Sequence, residues 1–444
     1  MAPAKRPVWD PPRGLTSDSP VAEGPAERSL VERDRARVWH PFTQMGLERD
    51  PVPVASASGA VLTLEDGREI IDAVSSWWTS LHGHGEPALV EAMANQARTL
   101  DHVMFAGTTH RWAVELAERL CEFAPGPLTR AFYSDNGSTA VEVALKMALQ
   151  AHQRRGHPER RVFVALEGSY HGDTFGAMSV GDPDPFFMPF KSFLFDVERI
   201  PADAEALEET LERLGERAAG VILEPLVQGA AGMWMHGADF VRAARRATSE
   251  RGLYLVADEV MTGFGRTGEL FACARAGVEP DLLCLAKGLT GGVTPMSVTL
   301  ATEELFELFY SNERAHAFFH GHSFTAHPIG CAVALASLDL VIERDVPGVL
   351  DSIGAEIEHA LRDRLAPDKA SNLRRTGGIV AFDLADPSAD GYLADRTLVL
   401  RKLAVDSGVL LRPLGSVVYA MPPACLTQEQ LERVVDAMVM LSES

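Results

Sequence analysis

The stretch LYLVADEV, residues 253–260, is a run of five apolar residues that ends in two acids. Similar apolar runs occur at 161–166, 220–223 and 282–286, and longer stretches with helical spacing of apolar residues lie between them. A strand that is apolar throughout must be buried on both faces, which is typical of a parallel sheet covered by helices. The pattern therefore predicts an α/β fold with a mostly parallel central sheet.

The composition and the spacing of apolar residues change along the chain, and these changes predict its domains. Residues 1–28 are rich in Pro, Gly, Ser and charge, without an apolar period, and we expect a mobile tail. The alternation of apolar runs and helical stretches covers 85–330, the predicted large domain. Residues 29–84 and 331–444 are predicted to form together a smaller α+β domain.

Two hairpins are expected in the smaller domain. The alternating segment 60–64 is followed by the turn 65–68, and the segments 408–412 and 417–421 are joined through Gly415 and Ser416. Short alternating runs separated by glycine-containing turns are the usual signal for antiparallel pairing.

Composition excludes several classes of protein. The chain has 62 acidic and 41 basic residues and a net charge of −21, which argues against nucleic-acid binding. It has no apolar run of the roughly 18 residues that a membrane-spanning helix needs, and its first residues do not have the pattern of a secretory signal. Five scattered cysteines without CxxC spacing predict no metal site and favour a reducing cytoplasm.

Three predicted strand ends carry groups that could act together. Residues 134–142 lead through a glycine into a helix, whose first N–H groups suit a phosphate, although a plain helix cap is the alternative. Asp258 could hold a protonated ring nitrogen, or could be a turn acid. Lys287 ends an apolar strand, where desolvation makes an amine nucleophilic. Pyridoxal phosphate (PLP) requires these three groups jointly.

Further candidates lie close to these strands in sequence. Arg266, in a loop with three glycines, could grip a carboxylate or could lie on the surface. Tyr170 could stack on a flat ring or pack against the next helix. Trp77 and Trp78 form a rare aromatic pair, which occurs more often in cores and interfaces than at ligands.

The segments 257–268 (ADEVMTGFGRTG) and 286–292 (AKGLTGG) resemble the signature of class III, fold type I, PLP-dependent aminotransferases. Other segments resemble the members of this family that act in biotin biosynthesis. These segments are WHPFTQM at 39–45, SSWW at 75–78, HVMF at 102–105, GSYHGDTFGAMSV at 168–180, and RP at 412–413 with YAMPP at 419–423. The resemblance covers residues 37–440.

The resemblance implies roles for the residues of the cofactor site. Lys287 would carry PLP as a Schiff base and move the reacting proton, and Asp258 would pair with the pyridinium nitrogen. Gly137 and Ser138 would hold the phosphate at a helix N-terminus. Tyr170 would stack on the ring.

The resemblance also implies a homodimer with shared active sites, in which Gly321 and Ser323 reach the phosphate bound by the other subunit. The implied substrate-binding residues are Trp77, Trp78, Phe42, Asp173, Arg266 and Arg412. The tryptophan pair would line an apolar tunnel, Arg412 would bind a carboxylate at its end, and Arg266 would help to couple donor and acceptor binding.

The implied reaction is the ping-pong conversion of 8-amino-7-oxononanoate to 7,8-diaminononanoate. The amino donor stays open, because Phe42 and the segment 320–323 resemble members that take lysine, whereas the tryptophan pair resembles those that take S-adenosylmethionine. Another class III ω-amino acid or ketone transaminase, or an aminomutase, is the alternative. A PLP-binding regulator without catalysis is a more distant one.

Overall fold

The computed structural model of the chain describes residues 28–48, 50–182, 184, 186–386, 388 and 391–444. The expected tail, residues 1–28, lies outside these residues except for Arg28. The strands are β1 (Val54–Ser58), β2 (Val61–Leu64), β3 (Glu69–Asp72), β4 (Leu128–Ser134), β5 (Val162–Leu166), β6 (Val197–Ile200), β7 (Ala218–Leu223), β8 (Val227–Gln228), β9 (Trp234–Met235), β10 (Tyr254–Asp258), β11 (Leu282–Leu285), β12 (Ser297–Thr302), β13 (Ala370–Thr376), β14 (Ile379–Leu384), β15 (Val409–Leu410) and β16 (Val417–Ala420). The helices are α1 (Leu30–Arg35), α2 (Ser75–Trp78), α3 (Pro87–Thr99), α4 (Arg111–Phe123), α5 (Gly137–Arg154), α6 (Phe175–Val180), α7 (Ala204–Leu214), α8 (Ala238–Arg251), α9 (Ala272–Ala276), α10 (Glu303–Glu307), α11 (Pro328–Glu343), α12 (Val346–Arg364), α13 (Arg396–Asp406) and α14 (Gln428–Glu443).

The described residues up to Pro53 form one compact unit, and Val54–Ser444 form another. In the first unit, α1 begins with a reciprocal cap in which Ser29 and Glu32 each accept from the other's backbone N–H. Phe42 lies beyond α1 in the same unit, with a φ of 51°.

Among the described residues, seven strands form the central sheet of the second unit, in the order β4-β12-β11-β10-β7-β5-β6. The five strands from β11 to β6 run parallel, and β12 is antiparallel to both of its neighbours. The mostly parallel sheet is therefore confirmed. The sequence did not reveal β12, because its buried positions include Thr299, whose hydroxyl donates to the carbonyl oxygen of Ala140 at 2.8 Å.

Helices cover both faces of this sheet. In β11, Leu282 and Cys284 pack into one apolar cluster, whereas Leu283 and Leu285 pack into another. Successive side chains of a strand point to opposite faces, so the two clusters lie on opposite sides. This double burial explains why the strands read as unbroken apolar runs.

Two smaller sheets complete the second unit, with the orders β1-β2-β3-β15 and β13-β14-β16. The hairpin expected at 60–68 is confirmed as the antiparallel pair β2 and β3. Of the hairpin expected between 408–412 and 417–421, only the turn at Gly415 and Ser416 is present, closed by an antiparallel bridge between Leu414 and Val417; the strand pairing is wrong, because β15 pairs with β3 and β16 pairs with β14. Pro413 follows the first segment and has no N–H to continue a ladder, so each strand pairs elsewhere. The predicted domain boundaries stay a prediction.

The described part of the chain contains no helix with the length and apolar character needed to cross a bilayer. In the same residues, no group of three or more His, Cys, Asp or Glu side chains is arranged to hold a metal ion. All five cysteines are free thiols, and three of them (Cys273, Cys284 and Cys331) are buried.

Gly377 brings the turn between β13 and β14 against the loop that follows β10. Its φ is +59°, and a Cβ there would collide with backbone atoms of Thr267 and Gly268. We predict that Gly377→Ala lowers the free energy of unfolding by about 1–2 kcal/mol for the left-handed backbone and by about 1–3 kcal/mol more for overpacking. The midpoint of thermal unfolding, followed by circular dichroism, measures the loss.

Gly156→Ala is the matched control, because its φ is +85° and a Cβ there would meet nothing within 4 Å. It should show only the backbone part of the loss. Equal losses in the two variants would contradict the packing argument.

Candidate active site

Strands β10 and β11 bring Asp258 and Lys287 to the same edge of the central sheet. Asp258 is the last residue of β10 and lies opposite Cys284 of β11. Lys287 follows β11 as the first residue of a 3₁₀ turn, Lys287–Thr290, with a φ of +47°. The carboxyl ends of parallel strands are where open α/β sheets bind ligands.

Asp258 is buried and is held by two hydrogen bonds. His171 donates from Nδ1 to one carboxylate oxygen at 2.7 Å, and the backbone N–H of Val260 donates to the other at 3.0 Å. His171 is buried as well, and its Nε2 has no partner among the described residues. Each carboxylate oxygen can accept more than one hydrogen bond, so Asp258 keeps the capacity to accept from a further N–H.

Glu259, the acid next to Asp258 in the sequence, caps a helix. Glu259 accepts from the backbone N–H groups of Ala272 at 2.6 Å and Cys273 at 2.8 Å, at the start of α9. Burial raises the pKa of Glu259 to about 7. Neighbouring residues of a strand point to opposite sides, so one acid of the pair faces the sheet edge and the other caps a helix.

The amine of Lys287 lies in surroundings that weaken its charge. Its Nζ is 4.5 Å from the centroid of the Trp78 ring. Burial lowers the pKa of Lys287 to about 8, and the Arg266 charge acts in the same direction, whereas Asp258 and Glu224 oppose the shift. The neutral form, which a nucleophile requires, is therefore much more populated near neutral pH than in an ordinary lysine with a pKa of 10.5.

The N-terminus of α5 forms a narrow cup beside these groups. Thr174 donates from its backbone N–H to the Ser138 hydroxyl at 3.0 Å, and the two hydroxyls are 2.7 Å apart. A Cβ on Gly137 would come within 2.6 Å of Val260, so only glycine fits without displacement. The first N–H groups of a helix have no intrahelical partner and favour an anion. Thr174 was not among the predicted site residues.

Glu224 ties the Tyr170 segment to the loop after β7. Its carboxylate accepts from the backbone N–H groups of Tyr170 at 3.1 Å and Gly229 at 2.8 Å. Burial raises the pKa of Glu224 to about 7. The ring of Tyr170 stacks on Phe187 with 6.1 Å between the centroids, and burial together with the nearby Asp173 carboxylate raises the pKa of its hydroxyl. Sequence reasoning did not single out Glu224, although it follows the apolar run 220–223 just as Asp258 follows its own run.

The tryptophan pair lies on an unusual turn. All four residues of α2 have positive φ values, from 44° to 74°, so this turn is left-handed. Such backbone costs about 1–2 kcal/mol for each L-residue other than glycine. Trp78 is buried and donates from Nε1 to the Tyr419 hydroxyl at 3.0 Å. Trp77 is 39% exposed, and its ring centroid is 4.9 Å from the guanidinium carbon of Arg412.

Arg266 is fully buried, so the surface alternative is wrong. It donates to the carbonyl oxygens of Pro422 at 2.8 Å and Trp78 at 3.3 Å, and burial lowers the pKa of its guanidinium to about 10. Its contacts connect the tryptophan turn to the segment after β16. A role in carboxylate binding stays a prediction.

Three of the predicted site residues are not among the groups described above for the second unit. Gly321 and Ser323 are exposed and lie in the segment before α11, and Phe42 belongs to the first unit. Their predicted roles stay predictions. The remaining groups, an amine with a lowered pKa, a buried carboxylate with free acceptor capacity and a glycine-lined helix N-terminus, fit the needs of PLP.

Comparison with known proteins places the chain in a family. The family model described as aminotransferase class-III matches residues 45–441. Adenosylmethionine-8-amino-7-oxononanoate aminotransferases from Synechococcus elongatus and Geobacter sulfurreducens are 49% and 38% identical, covering 90% and 93% of this chain and 97% and 96% of theirs.

Two solved structures share the fold. That of adenosylmethionine-8-amino-7-oxononanoate aminotransferase from Methanocaldococcus jannaschii superposes with a TM-score of 0.89 at 31% identity, covering 93% of this chain and 98% of that one. The PLP-bound amine transaminase from an uncultivated Pseudomonas species has a TM-score of 0.84 at 32% identity, with 90% and 97% covered. The chain therefore belongs to the class III aminotransferases, which are PLP-dependent transaminases.

Proposed function

We propose that this protein transfers an amino group to 8-amino-7-oxononanoate and so makes 7,8-diaminononanoate for biotin biosynthesis. One observation carries the proposal: an aromatic wall runs from the reacting amine to a cation. Trp78 lies 4.5 Å from the Lys287 amine, and Trp77 lies 4.9 Å from the Arg412 guanidinium. An apolar keto acid with one terminal carboxylate needs such a wall and a cation at its far end. The relatives named for this reaction support the choice of acceptor.

The residues of the chain divide the work of the reaction. Bound PLP supplies the electron sink that allows the C–H bond beside the transferred amine to ionise. Lys287, with its lowered pKa, is suited to take up and return that proton as a neutral amine. Asp258, oriented by His171, holds a negative charge for the ring nitrogen. Gly137 and Ser138 bind the phosphate at the start of α5.

The same pocket serves both half-reactions of a ping-pong cycle. Tyr170 covers the ring, and Asp173, whose charge acts on the Tyr170 hydroxyl, offers a carboxylate to a substrate amine. Arg412 orients the acceptor by its carboxylate, which leaves the keto group to face Lys287. Arg266 completes the proposed set and acts through the carbonyl group of Trp78. The donor is S-adenosylmethionine or lysine.

We extend the proposal to a homodimer in which Gly321 and Ser323 of each chain reach the phosphate bound by the other. Both residues are exposed, and they stand between Phe319 and Phe324, which are 76% and 56% exposed. Large apolar side chains in a row on a surface are typical of an interface. A second copy of the chain would cover them and complete the phosphate site.

We also propose that the protein works in the cytoplasm. Its five cysteines are free thiols, which is the state that a reducing compartment maintains. Among them, Cys425 is exposed and would be open to oxidation elsewhere.

The lowered pKa of Lys287 predicts how cofactor uptake depends on pH. Only the neutral amine attacks, so the rate at which cofactor-free protein binds PLP covalently should rise with pH and level off above the Lys287 pKa of about 8. The visible absorbance of the lysine-bound cofactor in a stopped-flow instrument measures this rate.

A free lysine side chain, with an ordinary pKa of 10.5, is the control, and its rate should go on rising beyond the point where the protein levels off. Lys287→Ala should bind PLP without this absorbance. If the rate of covalent PLP binding by the protein kept rising with pH as far as the rate for the free amine does, the lowered pKa of Lys287 would be disproved. Turnover retained in Lys287→Ala would disprove the role of the lysine.

Arg412→Ala should raise KM for 8-amino-7-oxononanoate by about 10- to 100-fold, the worth of a charge-assisted hydrogen bond. The KM for the donor should change little. Steady-state kinetics with each substrate varied in turn measure the two effects.

Arg374→Ala is the control for the loss of a partly buried arginine, because Arg374 donates to the carbonyl oxygens of Gly232 and Met233 and pairs with Asp383. It should lower the melting temperature and leave both KM values unchanged. Equal effects of Arg412→Ala on donor and acceptor would refute the carboxylate role.

The proposed function itself is tested by separate half-reactions. The PLP form of the enzyme is mixed with S-adenosylmethionine and, separately, with lysine while the visible absorbance is followed. One of the two should bleach it, and 8-amino-7-oxononanoate should then restore it. Bleaching by other amines only, with no recovery on adding this acceptor, would point to another class III transaminase.

A further inference from the structure

The left-handed turn that carries Trp77 and Trp78 is held by a buried carboxylate. Asp72, the last residue of β3, has no solvent exposure. It accepts hydrogen bonds from the backbone N–H groups of Val74 at 3.3 Å and Ser76 at 2.9 Å, and from the Ser76 hydroxyl at 2.7 Å. Three donors from the turn and the residue before it therefore converge on one side chain.

His84 supplies a fourth donor to the same carboxylate. Its Nε2 lies 2.8 Å from Asp72 and 3.4 Å from the Ser76 hydroxyl. The side chain of His84 is 19% exposed, so one partner of the pair is open to solvent and the other is closed to it. The pKa of Asp72 is lowered because its hydrogen bonds from His84 and Ser76 outweigh the cost of burial. The carboxylate is thus held in its charged form.

Further hydrogen bonds hold the first and the last residue of the turn. The Ser75 hydroxyl donates to the Met421 carbonyl oxygen at 2.8 Å, and Arg266 donates to that of Trp78. Serine and tryptophan have no intrinsic preference for positive φ, so such a turn persists only where its surroundings over-determine it. The contacts of Asp72 fix Ser76 between these two residues, where it would otherwise relax to an ordinary right-handed conformation.

We propose that Asp72 and His84 are positioning residues that set acceptor specificity by holding Trp77 and Trp78 in the left-handed turn. They act through the turn, which places one indole against the Lys287 amine and the other against Arg412. The identity of the acceptor rests on the proposed function, whereas the positioning of the indoles does not.

The central test is Asp72→Asn in the PLP form of the enzyme. An amide keeps the volume but turns an N–H₂ group toward donors, so at least one of the four contacts is lost. We expect KM for 8-amino-7-oxononanoate to rise by about 10- to 100-fold, as displaced binding groups do, with a smaller change for the donor. Near-ultraviolet circular dichroism should lose the band that Trp78→Phe identifies as that of Trp78.

Rescue separates positioning from general stability. Ser76→Gly should restore most of the acceptor KM and the Trp78 band in the Asp72→Asn background, because glycine adopts positive φ without cost. Asp281→Asn is the matched control: Asp281 also accepts from a backbone N–H, that of Leu255 at 2.7 Å, but lies at the opposite end of β11 from Lys287. It should lower the melting temperature and leave KM and the Trp78 band unchanged.

Folded Asp72→Asn with wild-type acceptor KM and an intact Trp78 band would overturn the inference, and so would a failure of Ser76→Gly to rescue. If Asp72→Asn does not fold, His84→Gln gives the same test at a less buried position. If the wild-type enzyme does not use 8-amino-7-oxononanoate, only the proposed function is disproved. The inference can still be tested, since the Trp78 band reports on the turn without any substrate.

Discussion

The structure depends on the burial of one amine at the edge of a sheet that is itself buried on both faces. Desolvation costs the Lys287 ammonium enough to bring its pKa to about 8, even though Asp258 and Glu224 favour the charged form. If Asp258 and Glu224 were nearer to the amine, or if water reached the site, the pKa of Lys287 would stay high and the amine would stay protonated and unreactive. Without Asp258 and Glu224, the site would have no negative charge to balance the protonated ring of the cofactor. The position of β10 beside β11 sets this balance.

Three other buried ionisable groups, Glu224, Glu259 and Arg266, are satisfied by backbone groups and not by salt bridges to side chains of opposite charge. Glu224 and Glu259 each accept two backbone N–H groups, and Arg266 donates to two carbonyl oxygens. A buried charge held this way stabilises the loops that supply the partners, because each broken bond would leave a charge unsatisfied. The loops around Lys287 are therefore fixed before any ligand binds, which is the preorganisation that catalysis requires.

The sequence predicted the parts of the site that follow from strand periodicity. Asp258 and Lys287 could be recognised because each ends an apolar run, and strand ends share an edge. The left-handed turn at 75–78 could not be predicted, since its φ values oppose the local preferences and depend on Asp72 and on contacts with residues more than 300 positions away. The failed hairpin at 408–421 has the same cause, because partners in β3 and β14 decided the pairing.

This difference separates chemistry from specificity in the fold. The groups proposed for the chemistry, Lys287 and Asp258, lie on the central sheet, where a shift would break a ladder that is buried on both sides. The groups proposed for recognition, Trp77 and Arg412, follow β3 and β15, which pair in one of the smaller sheets over two residue pairs. Changes there can reshape the pocket and leave the reacting amine in place. A family with one chemistry and many substrates is expected to vary in such segments. In this chain, the strained tryptophan turn is the segment where a small change in the hydrogen bonds that hold it would have the largest effect on acceptor binding.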